Sequence, residues 1–227
     1  MDEGKAKQWV KDKANQARVV ELFFEKNKPT DSRVAFFMAG IPGAGKTEFA
    51  ENAIKSNPEF ISIEHDQLVE FIDGYRPEDY YKYRKAGSVL VTRVFDECLR
   101  NGYSFIFDGT LSHENGVKNI KRCLKADYEV VVVYIVQDAT LAWELTQARE
   151  LVKKRSIERK GFIETCRKLN LNLLNIFEEC KQNPNFSFWL IDKQGKRDTQ
   201  QATAIIHNKE IDSSREIEKA LNRNYNV

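Results

Sequence analysis

The feature that most restricts this chain is an eight-residue run, Gly40-Ile41-Pro42-Gly43-Ala44-Gly45-Lys46-Thr47, lying between an apolar hexamer and a helix-period segment. It fits the pattern GxxxxGK[ST] at every position. In a chain of 227 residues a chance match is on the order of one in a hundred. The setting lowers those odds. Val34-Ala35-Phe36-Phe37-Met38-Ala39 reads as a buried strand, and Phe49, Ala50, Ala53 and Ile54 recur at helical spacing.

The chemistry of the run follows from its residues. Gly40, Gly43 and Gly45 permit backbone angles and close approaches that a Cβ would obstruct. Successive N–H groups and the start of a helix then converge on a phosphate. Lys46 is expected to reach the β- and γ-phosphates, and the Thr47 hydroxyl to ligate Mg²⁺. Residues 40–47, Ile41, Pro42 and Ala44 included, are therefore expected to bind the triphosphate of a nucleotide.

From residue 33 onward apolar, β-rich runs alternate with helical stretches. Strands are expected at Val34–Ala39, Phe60–Glu64, Ser104–Phe107, Glu129–Val136 and Ser187–Ile191, with helices over 46–56, 77–101, 114–126 and 139–181. Such alternation predicts βαβ crossovers and hence an α/β fold: a three-layer α/β/α P-loop NTPase, kinase-like, on a mainly five-stranded parallel sheet. Residues 31–192 would form this kinase domain. Residues 1–30 form an amphipathic N-terminal helical arm, with Ala6, Trp9, Val10, Ala14, Ala17, Val20 and Phe24 on one face. The segment 193–227 is polar with short apolar clusters and reads as peripheral.

Lys and Arg number 36 against 34 Asp and Glu, a net charge of +2, so nothing in the balance calls for nucleic acid. No apolar run reaches membrane-spanning length. The N-terminus lacks a signal core, and Cys98, Cys123, Cys166 and Cys180 show neither CxxC pairing nor zinc-like spacing with His. A cytoplasmic protein with reduced thiols is expected.

Among proteins with this loop, a GTPase needs a guanine-reading NKxD, whereas Asn208-Lys209-Glu210-Ile211 places its next acid, Asp212, one residue too late. Motor and AAA-type ATPases are longer and carry two adjacent acids on a strand. Here the third strand ends in Phe107-Asp108-Gly109-Thr110, with one acid. A small kinase remains. Asp108 would hold Mg²⁺ and orient Thr47, and Thr110 would meet the acceptor.

Asp66 follows the second strand and would align an acceptor hydroxyl as general base. Its rivals are Glu64, expected on the other sheet face, and Asp73; a helix N-cap is the structural alternative. His65 reads as a local polar residue. Arg149 and Arg155 would neutralise the transferring phosphoryl. Six residues apart, they would diverge on an unbroken helix, which predicts a break near Lys153–Arg155. The segment 71–92, with Tyr75, Arg76, Tyr80, Tyr81, Tyr83 and Arg84, is expected to shape the acceptor pocket, a helix–helix seam being the alternative.

Together these motifs resemble the zeta toxin family of P-loop kinases from about Val34 to Leu174. The likeness rests on Phe37 to Phe49, Asp66, Phe107-Asp108-Gly109-Thr110, Ala142-Trp143-Glu144-Leu145-Thr146-Gln147-Ala148-Arg149-Glu150, then Arg155, Ile157 and Phe162-Ile163. The resemblance implies transfer of the γ-phosphate of ATP to the 3′-hydroxyl of a UDP-N-acetyl sugar, with UDP-N-acetylglucosamine the acceptor in studied members. It implies Lys46 and Thr47 on phosphate and Mg²⁺, Asp66 as base, Arg149 and Arg155 on the phosphates, and an antitoxin protein as partner. Some members have Glu in place of Asp108, an Arg where this chain has Leu111-Ser112, and Pro in place of Glu158. A phosphotransferase with another hydroxyl acceptor (antibiotic, nucleoside or RNA end) and a non-catalytic nucleotide-binding module stay open.

Overall fold

The computed structural model describes residues 2–153, 157–193, 204–207 and 213–221. Its strands are β1 (Val34–Ala39), β2 (Ile61–Glu64), β3 (Phe105–Asp108), β4 (Glu129–Val136), β5 (Phe186–Asp192) and β6 (Ala204–His207). They form one sheet in the order β2-β3-β1-β4-β5-β6. The first five are parallel, as the alternating pattern predicts. β6 is an addition: it runs antiparallel to β5, pairing Trp189 with His207 and Asp192 with Ala204.

The helices are α1 (Glu3–Trp9), α2 (Lys13–Phe24), α3 (Lys46–Ser56), α4 (His65–Val69), α5 (Tyr80–Asn101), α6 (Asn115–Lys125), α7 (Ala139–Lys153), α8 (Arg159–Cys180) and α9 (Ser213–Leu221). Every residue from Val130 to Ile135 is buried, which requires cover on both sides of the sheet and explains their unbroken apolar character. The C-terminal tail is less peripheral than its polarity predicts. Besides β6 it supplies α9, which buries Ile217, Ala220 and Leu221 and sets Glu218 on Lys181 of α8, 3.0 Å away.

The N-terminal segment is two helices rather than one. Asp12 accepts a hydrogen bond from the Ala14 N–H, 2.8 Å away, and so starts α2 afresh after α1 has ended. Ala6, Val10, Val19 and Phe24 are buried. Trp9 Nε1 and Arg18 both donate to Asp73, at 3.0 and 2.9 Å, and Glu3 pairs with Lys85 of α5. The two helices are thus fastened to the α4–α5 region.

The long helical stretch beyond β4 is interrupted, with Glu158 extended before the second helix, while the predicted break near Lys153–Arg155 falls mostly outside the described residues. α7 ends at Lys153 and α8 begins at Arg159; Arg155 lies outside the described residues. The two helices close on each other through Trp143 and Phe162, with ring centroids 5.1 Å apart, and Arg159 lies over the Trp143 ring. All four cysteines are free and buried. Burial pushes their thiols well above the usual range, to about 11 at Cys166 and Cys180.

Candidate active site

β1, β2 and β3 end together on one edge of the sheet, where ligands bind in open α/β folds. β1 delivers residues 40–45 as a loop, and Gly45 starts α3 with no side-chain cap, so the first N–H groups of the helix face the loop. Gly43 has φ of +79°, and a Cβ there would stand 2.1 Å from the Ala142 carbonyl oxygen and 2.8 Å from Thr146 Oγ1. α7 therefore packs directly on the loop. The Thr146 hydroxyl is turned back onto that same Ala142 carbonyl.

Lys46 donates to the Ile41 carbonyl at 2.9 Å. Burial draws its ammonium down from the ordinary lysine value to about 8; Asp108 opposes that fall and Arg149 adds to it. Thr47 Oγ1 donates to Asp108 Oδ2 at 2.9 Å. A hydroxyl and a carboxylate oxygen at this separation suit Mg²⁺, which prefers oxygen ligands and keeps several of its waters. The described residues hold no cluster of three or more His, Cys, Asp or Glu fit for a metal, so the rest of such a shell would come from phosphate and water.

A single cleft joins Pro42, Gly43, Lys46 and Thr47 to Asp66, Asp108, Thr110 and Arg149. Asp66 sits in the first turn of α4, two residues beyond β2, with its side chain 34% exposed. It is not the N-cap of that helix, a position taken by Glu64. The rivals separate cleanly. Asp73 is turned to the N-terminal helices and bonded to Trp9 and Arg18, which hold its carboxyl below the usual range. Glu64 does not point away as the strand alternation predicts. Its Cα pairs with that of Asp108, and the side chain lines the same cleft, accepting from Ser62 at 2.7 Å.

Thr110 is also brought in, bonded to the Ser112 hydroxyl at 2.8 Å. With Asp108 and Gly109 it borders a second hollow between α5 and α6, lined by Ser88, Thr92, His113, Lys118, Asn119 and Arg122. The next residue, Leu111, has φ of +53°, a left-handed conformation that costs about 1–2 kcal/mol in a non-glycine residue. Asn172 of α8 holds it there by donating to the Leu111 carbonyl at 2.6 Å and the His113 carbonyl at 3.0 Å.

Tyr75 and Arg76 do not line either hollow. Tyr75 packs edge-on against the buried Tyr83, centroids 5.3 Å apart, in the α4–α5 seam. Arg76 is exposed and begins the 3₁₀ turn Pro77–Asp79. Most apolar positions of that segment serve packing, with Val91 bordering the second hollow, and of its aromatics Tyr80 alone, among the described residues, reaches the cleft. Sequence reasoning missed His65, Thr146 and Ile157 as lining residues, whereas Tyr80 is one of the aromatics it expected at the pocket. His65 carried a usable signal, its adjacency to Asp66; Thr146 and Ile157 carried none outside the resemblance.

A phosphate loop between the central strand and α3, at the head of a sheet ordered 2-3-1-4-5, defines the P-loop kinase class of α/β proteins. The sequence model of the zeta toxin family matches residues 20–209, and the chain belongs to that family. Among solved structures it is similar to a chain from the PezAT chromosomal toxin–antitoxin system of Streptococcus pneumoniae, with TM-score 0.69, 16% identity, and 95% of this chain and 90% of that one covered. It is also similar to chains of the AvrRxo1-ORF1:AvrRxo1-ORF2 complex. The structure with sulphate ions gives TM-score 0.67 and 14% identity, covering 97% of this chain and 73% of that one. The structure with ATP gives 0.65 and 15%, covering 99% and 72%. Among curated proteins there is no match. No described helix is long and apolar enough to cross a membrane.

Proposed function

We propose that this zeta toxin family member transfers the γ-phosphate of ATP to a hydroxyl of a UDP-N-acetyl sugar. The observation that carries the reading is the shared cleft, which Lys46, Thr47, Asp108 and Arg149 line together with Asp66. The phosphate loop would hold the triphosphate, and Lys46 would exchange its bond to the Ile41 carbonyl for phosphate oxygens. Thr47 and Asp108 would hold Mg²⁺, which supplies charge neutralisation at the phosphates. Asp66 would accept a hydrogen bond from the incoming hydroxyl, align it and take its proton. Arg149, with Arg155, would stabilise the charge spread over the transferring group.

The second hollow supports an anionic acceptor. His113, Lys118 and Arg122 line it, together with Asp108, and a diphosphate fits the basic side chains. A structural neighbour holding ATP and neighbours drawn from toxin–antitoxin and two-component complexes support ATP as donor, a protein antitoxin as partner, and action in the cytoplasm, where ATP is available.

The test is incubation of the purified chain with γ-labelled ATP and a panel of UDP-sugars, nucleosides and RNA. Label in UDP-N-acetylglucosamine is the expected outcome. Label in another alcohol would replace the acceptor and keep the reaction. ATP binding with no transfer would leave a nucleotide-binding module.

A further inference from the structure

His65 immediately precedes Asp66, and both of its ring nitrogens are engaged. Nε2 lies 2.8 Å from the Arg84 carbonyl oxygen and Nδ1 lies 3.0 Å from the Tyr80 hydroxyl. A carbonyl can only accept, so Nε2 carries the proton. In the neutral ring Nδ1 is then the acceptor, and the Tyr80 hydroxyl donates to it. Asp66 Oδ1 is 3.9 Å from Nδ1, too far for a direct hydrogen bond. His65, Asp66 and Tyr80 all border the phosphate cleft.

A second observation concerns the helix that receives this ring. Gly87 lies inside α5, three residues after Arg84, where glycine costs about 1 kcal/mol relative to alanine. A Cβ at that position would stand 2.3 Å from Val69 Cγ1 and 2.8 Å from His65 Nε2. The missing side chain makes a notch that seats both ends of α4, His65 at its first residue and Val69 at its last. α4 has five residues and no side-chain N-cap. A helix that short has no stability of its own, so its position is set by what it rests on.

We propose that His65 is a positioning residue for the reaction. As a neutral imidazole protonated at Nε2, it ties the first turn of α4 to the Arg84 carbonyl and so fixes where the Asp66 carboxylate meets the acceptor hydroxyl. Gly87 provides the notch, and Tyr80 fixes the ring plane from the other nitrogen. This inference rests on the reading of Asp66 as base.

Two measurements on the full chain test it. In ¹⁵N-histidine NMR near neutral pH, the signal lost in His65→Gln should show the Nε2–H tautomer; an Nδ1–H tautomer or an imidazolium would overturn the tether whatever the acceptor proves to be. In turnover of γ-labelled ATP with UDP-N-acetylglucosamine as probe, His65→Ala should lower kcat about 10- to 100-fold, because a small misplacement of a catalytic group is costly. The KM for ATP should stay within about twofold, since the phosphate loop is untouched. His65→Gln, whose amide N–H can still reach the Arg84 carbonyl, should recover most of the loss, and Gly87→Ala should repeat it. Unchanged kcat in His65→Ala, or equal loss in the Ala and Gln variants, overturns the proposal. Asp66→Asn run alongside separates the two readings. If it turns over normally the base assignment fails, whereas an inactive Asp66→Asn beside a fully active His65→Ala defeats only the positioning role.

Discussion

The two walls of the cleft are built by different means. The nucleotide wall comes from eight consecutive residues, most of whose ligating groups are backbone amides, and the adjoining α3 fixes them as a unit. The wall proposed for the acceptor is gathered from the first turn of α4, four positions on α5, the end of β3 and one face of α6. The first wall needs little beyond local chain geometry. The second depends on how four elements pack, and changes there can retune the acceptor while phosphate handling stays intact.

The sharpest way to break this contrast is a substitution on the acceptor wall that spares the nucleotide. Asp66→Asn should lower turnover about 10²- to 10⁴-fold, the usual contribution of a general base, with ATP affinity in calorimetry close to wild type. Parallel loss of affinity would mean that Asp66 props up the fold. Lys46→Ala is the converse. Affinity and turnover should fall together, by roughly tenfold or more for a charge-assisted phosphate contact.

The next effect is set by pH. Lys46 titrates near 10.5 when unfolded and at about 8 in the folded chain. Between those values the folded chain carries fewer protons, so Lys46 makes the fold more stable as pH rises through this window. Phosphate favours the charged form, so above pH 8 ATP binding should take up a proton and weaken by up to about tenfold per pH unit. Calorimetry in buffers of different ionisation enthalpy reads that proton directly, and Lys46→Ala should abolish it.

Smaller effects belong to the acceptor side. Lys118→Ala should raise the KM for a diphosphate-bearing acceptor about threefold to tenfold and leave that for ATP alone, as expected for one charged contact. Arg122 is a poorer probe, because it pairs with Asp96 at 2.6 Å and lies over Phe95. Arg76→Ala should alter neither KM by more than about twofold, nor stability by more than about 0.5 kcal/mol, since that residue is exposed and away from both hollows. A large KM effect would restore it to the acceptor site.

The same division explains what could be read from the residues alone. The phosphate loop and the five parallel strands were legible, because each is a local pattern with a fixed period or a fixed spacing. The place of Asp66 in the cleft beside the phosphate loop was legible from its position after β2, although it stands in a helical turn and not at the strand end. The direction of Glu64 was misjudged, because simple alternation ignores that its partner in the parallel pairing is Asp108. Tyr75 and Arg76 were misplaced for a related reason. Aromatic residues look alike in sequence whether they line a pocket or fill a seam, and the Tyr75–Tyr83 contact decides between the two. β6 coincides with an apolar cluster of the tail, Ala204-Ile205-Ile206, but three apolar residues in a polar segment are too short a run to mark a strand. His65 could be flagged by its adjacency to Asp66, but its contact with the Arg84 carbonyl needed the α5 backbone beside it, which no spacing rule supplies.

The four sheltered sulfhydryls give the chain a built-in reporter. With their ionisation suppressed and 2% or less of each side exposed, they should resist alkylating reagents and mild oxidants for as long as the layers stay together. Modification would then count openings of the whole body, so a thiol reagent could compare variants of either wall by how often the native state comes apart.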